Sequence, residues 1–363
     1  MAMHTITVGL NKETHLEYSS QELDSYNLEF HDISESPISI HGLIHDEIDG
    51  YIRIPKKVAQ ETSESLLGLY RMDAGGRVKF ASNSNTISIR VVFNDSHWVP
   101  VKMSESGSCS FDLYEKNQLG SYDHIATFFP EQRNSYGFVC LVELAKTDKE
   151  RDLLINFPIF AGVREMQIGI EKGSSLSKAS EYKHSKPVVF YGSSITHGAF
   201  ASRPGNAYPA LLSQKYDFDY YNFGFSGACR AEEPMMEYLS KIDMSIFVLD
   251  YDYNARTEKY LKATHYKAYE TIRKSHKDIP IIMASRPNYD SPEYDGNKRR
   301  NIIYASFKKA KQNGDENVYF VDGKKHFKNF AKDGYTVDYS HPNDGGFRVM
   351  ANAFSKEFDK IYK

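Results

Sequence analysis

Through the first half of the chain, apolar residues recur at every second position. Ile87, Ile89, Val91 and Phe93 alternate with Ser88, Arg90 and Val92, a period of two that half-buries a β-strand. Similar short runs occur at 51–54, 137–144 and 166–170. Turn signals such as Asp73-Ala-Gly-Gly76 and Glu105-Ser-Gly-Ser108 separate them,. No amphipathic helix is expected in this region, and the pattern predicts an antiparallel β-sandwich or jelly roll over residues 1–170. A polar stretch, residues 171–186, then reads as a linker.

Beyond it the period changes. Short apolar strands are expected at 188–191, 220–225, 245–251, 280–284 and 318–321, with helical spacing between them. Leu261, His265, Ala268 and Ile272 mark one helix face, and Phe347, Met350, Ala351, Phe354, Phe358 and Ile361 mark another,. Five strands alternating with helices predict a parallel, doubly wound sheet over residues 187–363. In such a sheet the site forms beyond the carboxyl ends of the strands, near the switch in strand order.

Composition narrows the function classes. A length of 363 residues suits two domains,. The 45 basic and 48 acidic residues are spread along the chain without a basic stripe, so nucleic acid is not an expected partner. No run reaches the roughly eighteen apolar residues of a membrane span. The N-terminus, Met-Ala-Met-His-Thr-Ile-Thr-Val, has neither the charged nor the apolar region of a secretory signal,. A cytoplasmic protein is the expectation, although a secreted chain freed of its leader reads the same way. Cys109, Cys140 and Cys229 lack metal-ligand spacing, and are expected to be small buried hydrophobes. A homo-oligomer is compatible with all of this.

Two Gly-Ser-Ser turns follow apolar runs, at Gly173 and at Gly192. Ser175 closes the β half and has no partners downstream. Ser194 follows the first strand of the α/β half, at the carboxyl edge of the sheet, where its backbone N–H can face an oxyanion. The Gly-x-Ser-x-Gly elbow of α/β-hydrolases is absent at both. Three further blocks accompany Ser194: Asn222-Phe-Gly-Phe-Ser-Gly227, Asp250-Tyr-Asp-Tyr-Asn-Ala255, and Asp338-Tyr-Ser-His341 followed by Pro342-Asn-Asp-Gly-Gly346.

In this order the four blocks resemble the SGNH (GDSL-like) hydrolase superfamily. The resemblance implies a three-layer, flavodoxin-like α/β domain with Ser194 as nucleophile, His341 as general base and Asp338 as its orienting carboxylate. It also implies an oxyanion hole made of the N–H groups of Ser194 and Gly227 and the side-chain amide of Asn254. The chemistry agrees. An aspartate three residues before a histidine reaches its Nδ1 and fixes the tautomer that accepts the serine proton, and a neutral amide holds negative charge without titrating. The sequence departs from the family pattern at Ser193, which replaces an aspartate, at Asp252, which replaces a glycine, and at Ala255, which replaces an aspartate.

The β half is similar to the jelly-roll domain that precedes some SGNH esterases. Its Gly-x-Asp-Leu-Tyr signature reads Ser110-Phe-Asp-Leu-Tyr114 here. Two-domain enzymes of this kind include carbohydrate esterase family 2. The resemblance therefore implies a serine esterase that needs no cofactor and no metal. It would remove short acyl groups, above all O-acetyl, from a carbohydrate or related small molecule through an acyl-enzyme. Alternatives are a lipase or thioesterase with a longer acyl pocket, or a non-catalytic sugar-binding protein on the same scaffold. Arg203 and Arg286 are candidate substrate contacts, His197 a candidate pocket-lining residue, and Asp250 with Asp252 a loop-organising pair. Trp98, the only tryptophan, lies in the β half and reads equally as core or as a sugar contact.

Overall fold

The computed structural model describes residues 5–13, 21–97, 103–130, 135–287, 296–325 and 334–363; Trp98 lies outside them. The chain divides into two compact units. The first holds residues 1–53, 71–183 and 203–205, and the second holds 54–70, 184–202 and 206–363.

The first unit is built from antiparallel strands. One sheet runs in the order Thr5–Gly9, Gly137–Glu143, Thr86–His97, Ala161–Glu171, Leu28–Asp32. The other runs Leu176–Ser177, Arg77–Ser82, Arg151–Asn156, Phe111–Lys116, Tyr122–Phe128. Alternation decides which side chains enter the core. Ile87, Ile89, Val91 and Phe93 join Val78, Phe80, Phe111, Leu113, Phe138, Cys140, Leu153 and Ile155 in one buried cluster. Val92, between Val91 and Phe93, faces a separate cluster with Ile6, Val8, Val139 and Leu141. All three cysteines are buried and unbonded to each other. Burial pushes the Cys140 thiol up to about 11.

Two expectations are corrected here. The stretch 171–186 is not a free linker: Leu176–Ser177 pairs with Arg77–Ser82. Ser175 and Asn83 also exchange two hydrogen bonds, from Ser175 N–H to Asn83 Oδ1 at 2.8 Å and from Asn83 N–H to Ser175 Oγ at 3.3 Å. The β half also contains short helices, Lys56–Thr62 and Glu64–Leu67, and residues 54–70 belong to the second unit. Helices of seven and four residues are too short to display a 3.6-residue period, so the sequence pattern hides them.

In the second unit we label the parallel strands β1 (His184–Gly192), β2 (Phe218–Gly224), β3 (Ile246–Asp250), β4 (Ile281–Ala284) and β5 (Val318–Val321). Their order is β2-β1-β3-β4-β5, all parallel. This is the flavodoxin-like order, and it puts the switch point beside β1. Val188–Gly192 and all of β3 and β4 are buried, as a sheet covered on both faces requires.

The predicted helix faces hold. Helix Glu258–Ser275 buries Leu261, His265, Ala268 and Ile272, and its N-cap Thr257 accepts the Tyr260 N–H,. Helix Asp344–Ile361 buries Phe347, Met350, Ala351, Phe354 and Phe358. Phe354 stacks on Tyr208 of helix Tyr208–Tyr216, with ring centroids 4.9 Å apart. That contact fixes a tyrosine whose hydroxyl reaches the site.

Candidate active site

Ser194 opens the four-residue helix Ser194–His197 at the carboxyl end of β1. Gly192 permits the sharp exit, because a Cβ there would collide with the Thr196 side chain and lie 2.7 Å from the Asp250 carbonyl oxygen. Ser193 is the N-cap, its Oγ accepting the Ile195 N–H at 3.2 Å. Aspartate and serine cap helices about equally well, so replacing the family's aspartate leaves this local function intact. As the first helical residue, Ser194 has no intrahelical acceptor for its own N–H.

Beneath the turn lies a buried polar network. Tyr208 OH and Thr196 Oγ1 donate to Asp250 Oδ2 at 3.0 and 3.1 Å. Asn222 Nδ2 donates to the Thr196 carbonyl at 2.9 Å, and its Oδ1 accepts the Gly224 N–H. Burial pushes the Asp250 carboxyl up to about 7, against the opposing hydrogen bonds from Tyr208 and Thr196,.

His341 comes from the loop before helix Asp344–Ile361. Its Nε2 lies 2.9 Å from Ser194 Oγ. Its Nδ1 lies 3.1 and 3.0 Å from the two oxygens of Asp338. The Asp338 carboxylate also accepts the Ser340 and His341 N–H groups at 3.1 and 2.9 Å, the local turn for which aspartate is suited. Burial raises the Asp338 carboxyl, but the His341 N–H and imidazole and the Ser340 N–H outweigh it and hold the group below the usual carboxylate range. An ionised Asp338 accepts from Nδ1–H, which leaves the Nε2 lone pair facing the serine hydroxyl.

The three groups expected to face an oxyanion sit at the ends of neighbouring strands. Ser194 follows β1, Gly227 follows β2 and Asn254 follows β3. Gly227 has φ +72°, a backbone conformation that favours glycine, and a Cβ there would touch no other atom within 4 Å,. Asn254 Nδ2 donates to the Phe225 carbonyl at 3.0 Å, which orients the amide and leaves its second hydrogen for another acceptor.

The remaining candidates are placed differently. His197 is fully buried, and its Nδ1 accepts the Ser226 N–H at 3.3 Å, which supports the loop before Gly227. Arg286 is also fully buried, with Nε 3.4 Å from Asp252 Oδ2 and its guanidinium 4.2 Å from the Tyr253 ring centroid. Arg203 Nη1 pairs with the buried Asp112 at 2.9 Å and bonds the Tyr114 hydroxyl within the first unit. The Gly205 N–H donates to the same carboxylate at 2.8 Å. Both arginines answer buried aspartates; Arg286 has no exposed side-chain surface, while Arg203 keeps part of its side chain exposed. Asp112 and Tyr114 are the aspartate and tyrosine of the Ser110–Tyr114 signature.

Asp252 binds a second arginine, Arg299, at 2.7 Å, and Arg299 also bonds the Asp252 and Ala255 carbonyls. Burial raises the Asp252 carboxyl, but the Arg286 and Arg299 guanidinium groups hold it below the usual range. Asp250 and Asp252 thus serve separate networks on the two sides of one strand end. Sequence reasoning misses Arg299, Tyr208 and Thr196. The only signal available was the arginine's spacing inside a helix, since a buried position is a place where Arg seldom sits without a partner.

Comparison with known proteins accords with this geometry. The GDSL-like lipase/acylhydrolase family matches residues 185–359, and GxDLY, the N-terminus of SGNH-hydrolase-type esterases, matches residues 28–176. A GDSL-like lipase from Bacteroides ovatus superposes with a TM-score of 0.81 at 24% identity over 93% of this chain and 98% of its own. Salicylyl-acyltransferase SsfX3 from a tetracycline biosynthetic pathway gives 0.76 at 17% identity over 92% and 98%. A family two carbohydrate esterase from Clostridium thermocellum, in complex with cellohexaose, gives 0.63 at 13% identity over 90% and 99%. These likenesses show a shared two-domain fold. Among curated proteins, no sequence matches this chain significantly. The protein is a carboxylic ester hydrolase. It carries a GDSL-like lipase/acylhydrolase domain over residues 185–359 and, on its N-terminal side, the GxDLY domain of SGNH-hydrolase-type esterases over residues 28–176.

Proposed function

We propose that the chain hydrolyses short acyl esters, O-acetyl above all, of a carbohydrate or related small molecule, with Ser194, His341 and Asp338 as its catalytic triad. The observation that carries this reading is the 2.9 Å approach of His341 Nε2 to Ser194 Oγ, with Asp338 on the far nitrogen. His341 takes the hydroxyl proton as Ser194 Oγ attacks the ester carbonyl. The tetrahedral oxyanion is held by the N–H groups of Ser194 and Gly227 and the free amide hydrogen of Asn254. Collapse expels the alcohol, which takes the proton from His341, and leaves an acyl-enzyme. Water, deprotonated by His341, then releases the acid and restores Ser194.

Support for a sugar acceptor comes from the fold shared with the family two carbohydrate esterase, which was seen with cellohexaose. The test is a screen of acetylated sugars, oligosaccharides and small metabolites for acetate release by wild type and Ser194→Ala. Release that depends on Ser194 supports the reading; equal release by both proteins refutes it. A p-nitrophenyl ester series that peaked at eight or more carbons would favour a lipase or thioesterase. Added alcohol acceptors test acyl transfer, the chemistry named for SsfX3.

A further inference from the structure

The turn after the nucleophile helix has an unusual shape. Phe200 has φ +73°, a region that non-glycine residues with bulky side chains enter only at a cost in free energy, commonly at functional sites. The surrounding bonds hold the backbone there. Gly198 and Ala199 both donate to the Ser194 carbonyl, at 3.1 and 2.9 Å, and Ala201 donates to the Gly198 carbonyl at 3.1 Å. The turn is therefore fixed to Ser194 itself.

Its other end is fixed to the histidine loop. Ser202 N–H and Oγ–H donate to the two oxygens of Asp344 at 2.8 and 2.5 Å. Asp344 stands three residues after His341, as the first residue of helix Asp344–Ile361. Between these anchors the half-buried Phe200 ring meets the His341 imidazole, with centroids 4.7 Å apart and planes 52° apart.

We propose that Phe200, held by the Ser202–Asp344 clasp, is a positioning residue that sets the His341 ring over Ser194 Oγ. The role rests on the triad reading above. Asp338 fixes one nitrogen of the imidazole, but a ring held at a single edge still swings about that bond. The phenyl ring closes one side of that arc. Ser194 and His341 are 147 residues apart in sequence, and this turn references one directly to the other. The strained backbone is what aims the phenyl ring.

The test uses the full chain with p-nitrophenyl acetate and compares wild type, Phe200→Tyr, Phe200→Ala, Phe200→Gly and Asp344→Ala, with Ser194→Ala as control. Glycine accepts φ +73° without cost, so Phe200→Gly should match or exceed Phe200→Ala in Tm. Both should lose about tenfold or more in kcat with KM within about twofold, the pattern of a misplaced catalytic group. Phe200→Tyr keeps the ring and should keep kcat. Asp344→Ala should lower kcat similarly, and combining it with Phe200→Gly should cost less than the product of the two, because they act through one contact. A kcat for Phe200→Gly within twofold of wild type overturns the proposal, as does an equal loss in Phe200→Tyr. Wild-type turnover that does not depend on Ser194 defeats the triad reading instead, and the positioning role falls with it.

Discussion

Replacing Asp338 by asparagine tests the triad most sharply, because the structure dictates which way the new amide must point. Oδ1 of Asp338 accepts two backbone N–H groups, from Ser340 and His341, at 3.1 and 2.9 Å. In the asparagine variant only the carbonyl oxygen can occupy that place, so the NH₂ group falls on the Oδ2 side, the nearer of the two to His341 Nδ1 at 3.0 Å against 3.1 Å for Oδ1. An N–H aimed at Nδ1 requires a lone pair there, which moves the ring proton to Nε2. Nε2–H then faces Ser194 Oγ as a donor and cannot take its proton. The overall shape is preserved while the tautomer is reversed. The expected loss is about 10⁴ in kcat, or about 5.4 kcal/mol of transition-state stabilisation. Steady-state hydrolysis of p-nitrophenyl acetate reads it, with circular dichroism and Tm confirming an unchanged fold. Asp338→Ala, which forces no tautomer, should be no worse than Asp338→Asn. An asparagine variant retaining more than about a tenth of wild-type kcat would refute the tautomer argument.

Three further outcomes follow from the site and its supports. Asn254→Ala removes a preoriented oxyanion donor and should cost about 10²–10³ in kcat with little change in KM; a loss below threefold would remove Asn254 from the hole. Asp250, raised to about 7 by burial, holds a proton in the folded state that the unfolded chain releases near pH 4. Folding therefore loses stability as pH rises from about 4 to 7. Asp250→Asn should flatten that slope in urea unfolding midpoints, and an unchanged slope would contradict the assignment. Arg299→Met removes the shorter of the two ion pairs on the buried Asp252 and leaves Arg286 as its one counter-charge. The cost, read by denaturant unfolding, should exceed about 1 kcal/mol but stay below the roughly 3–5 kcal/mol of a fully unpaired buried charge; a smaller cost would mean that Arg286 alone suffices.

Periodicity made much of this architecture readable. The five strands of the second unit announce themselves as short apolar runs, because a sheet covered on both faces buries most of its residues, and all of those in β3 and β4. Ile87 to Phe93 announce the sandwich by alternation. The candidate site was readable for a different reason: Ser194, Gly227 and Asn254 sit in blocks that follow strands, and Asp338 and His341 share one short block before the last helix, so local motif and topology coincide. Contacts between distant side chains left no such trace. Nothing near Arg203 in sequence points to Asp112, and nothing near Asp252 points to Arg299. Arg203 and Arg286 were therefore read only as candidate substrate contacts, and their pairing with carboxylates buried by tertiary packing went unread. His197 is a similar case: it stands three residues from the nucleophile in sequence, and its contact with the Ser226 N–H left no trace there.

The pairing of Asp252 with Arg286 and Arg299 has a consequence for descent. A glycine at this position, as the family resemblance implies, would bury no charge at the strand end and need no guanidinium to answer it. Once aspartate occupies the position, losing it in a single step would strand two arginines in the interior, and losing either arginine would take away one of the aspartate's two partners. The three residues can then change only together or along a narrow order of steps. Relatives should carry either all of the trio or none, which makes it a heritable marker of this branch of the family.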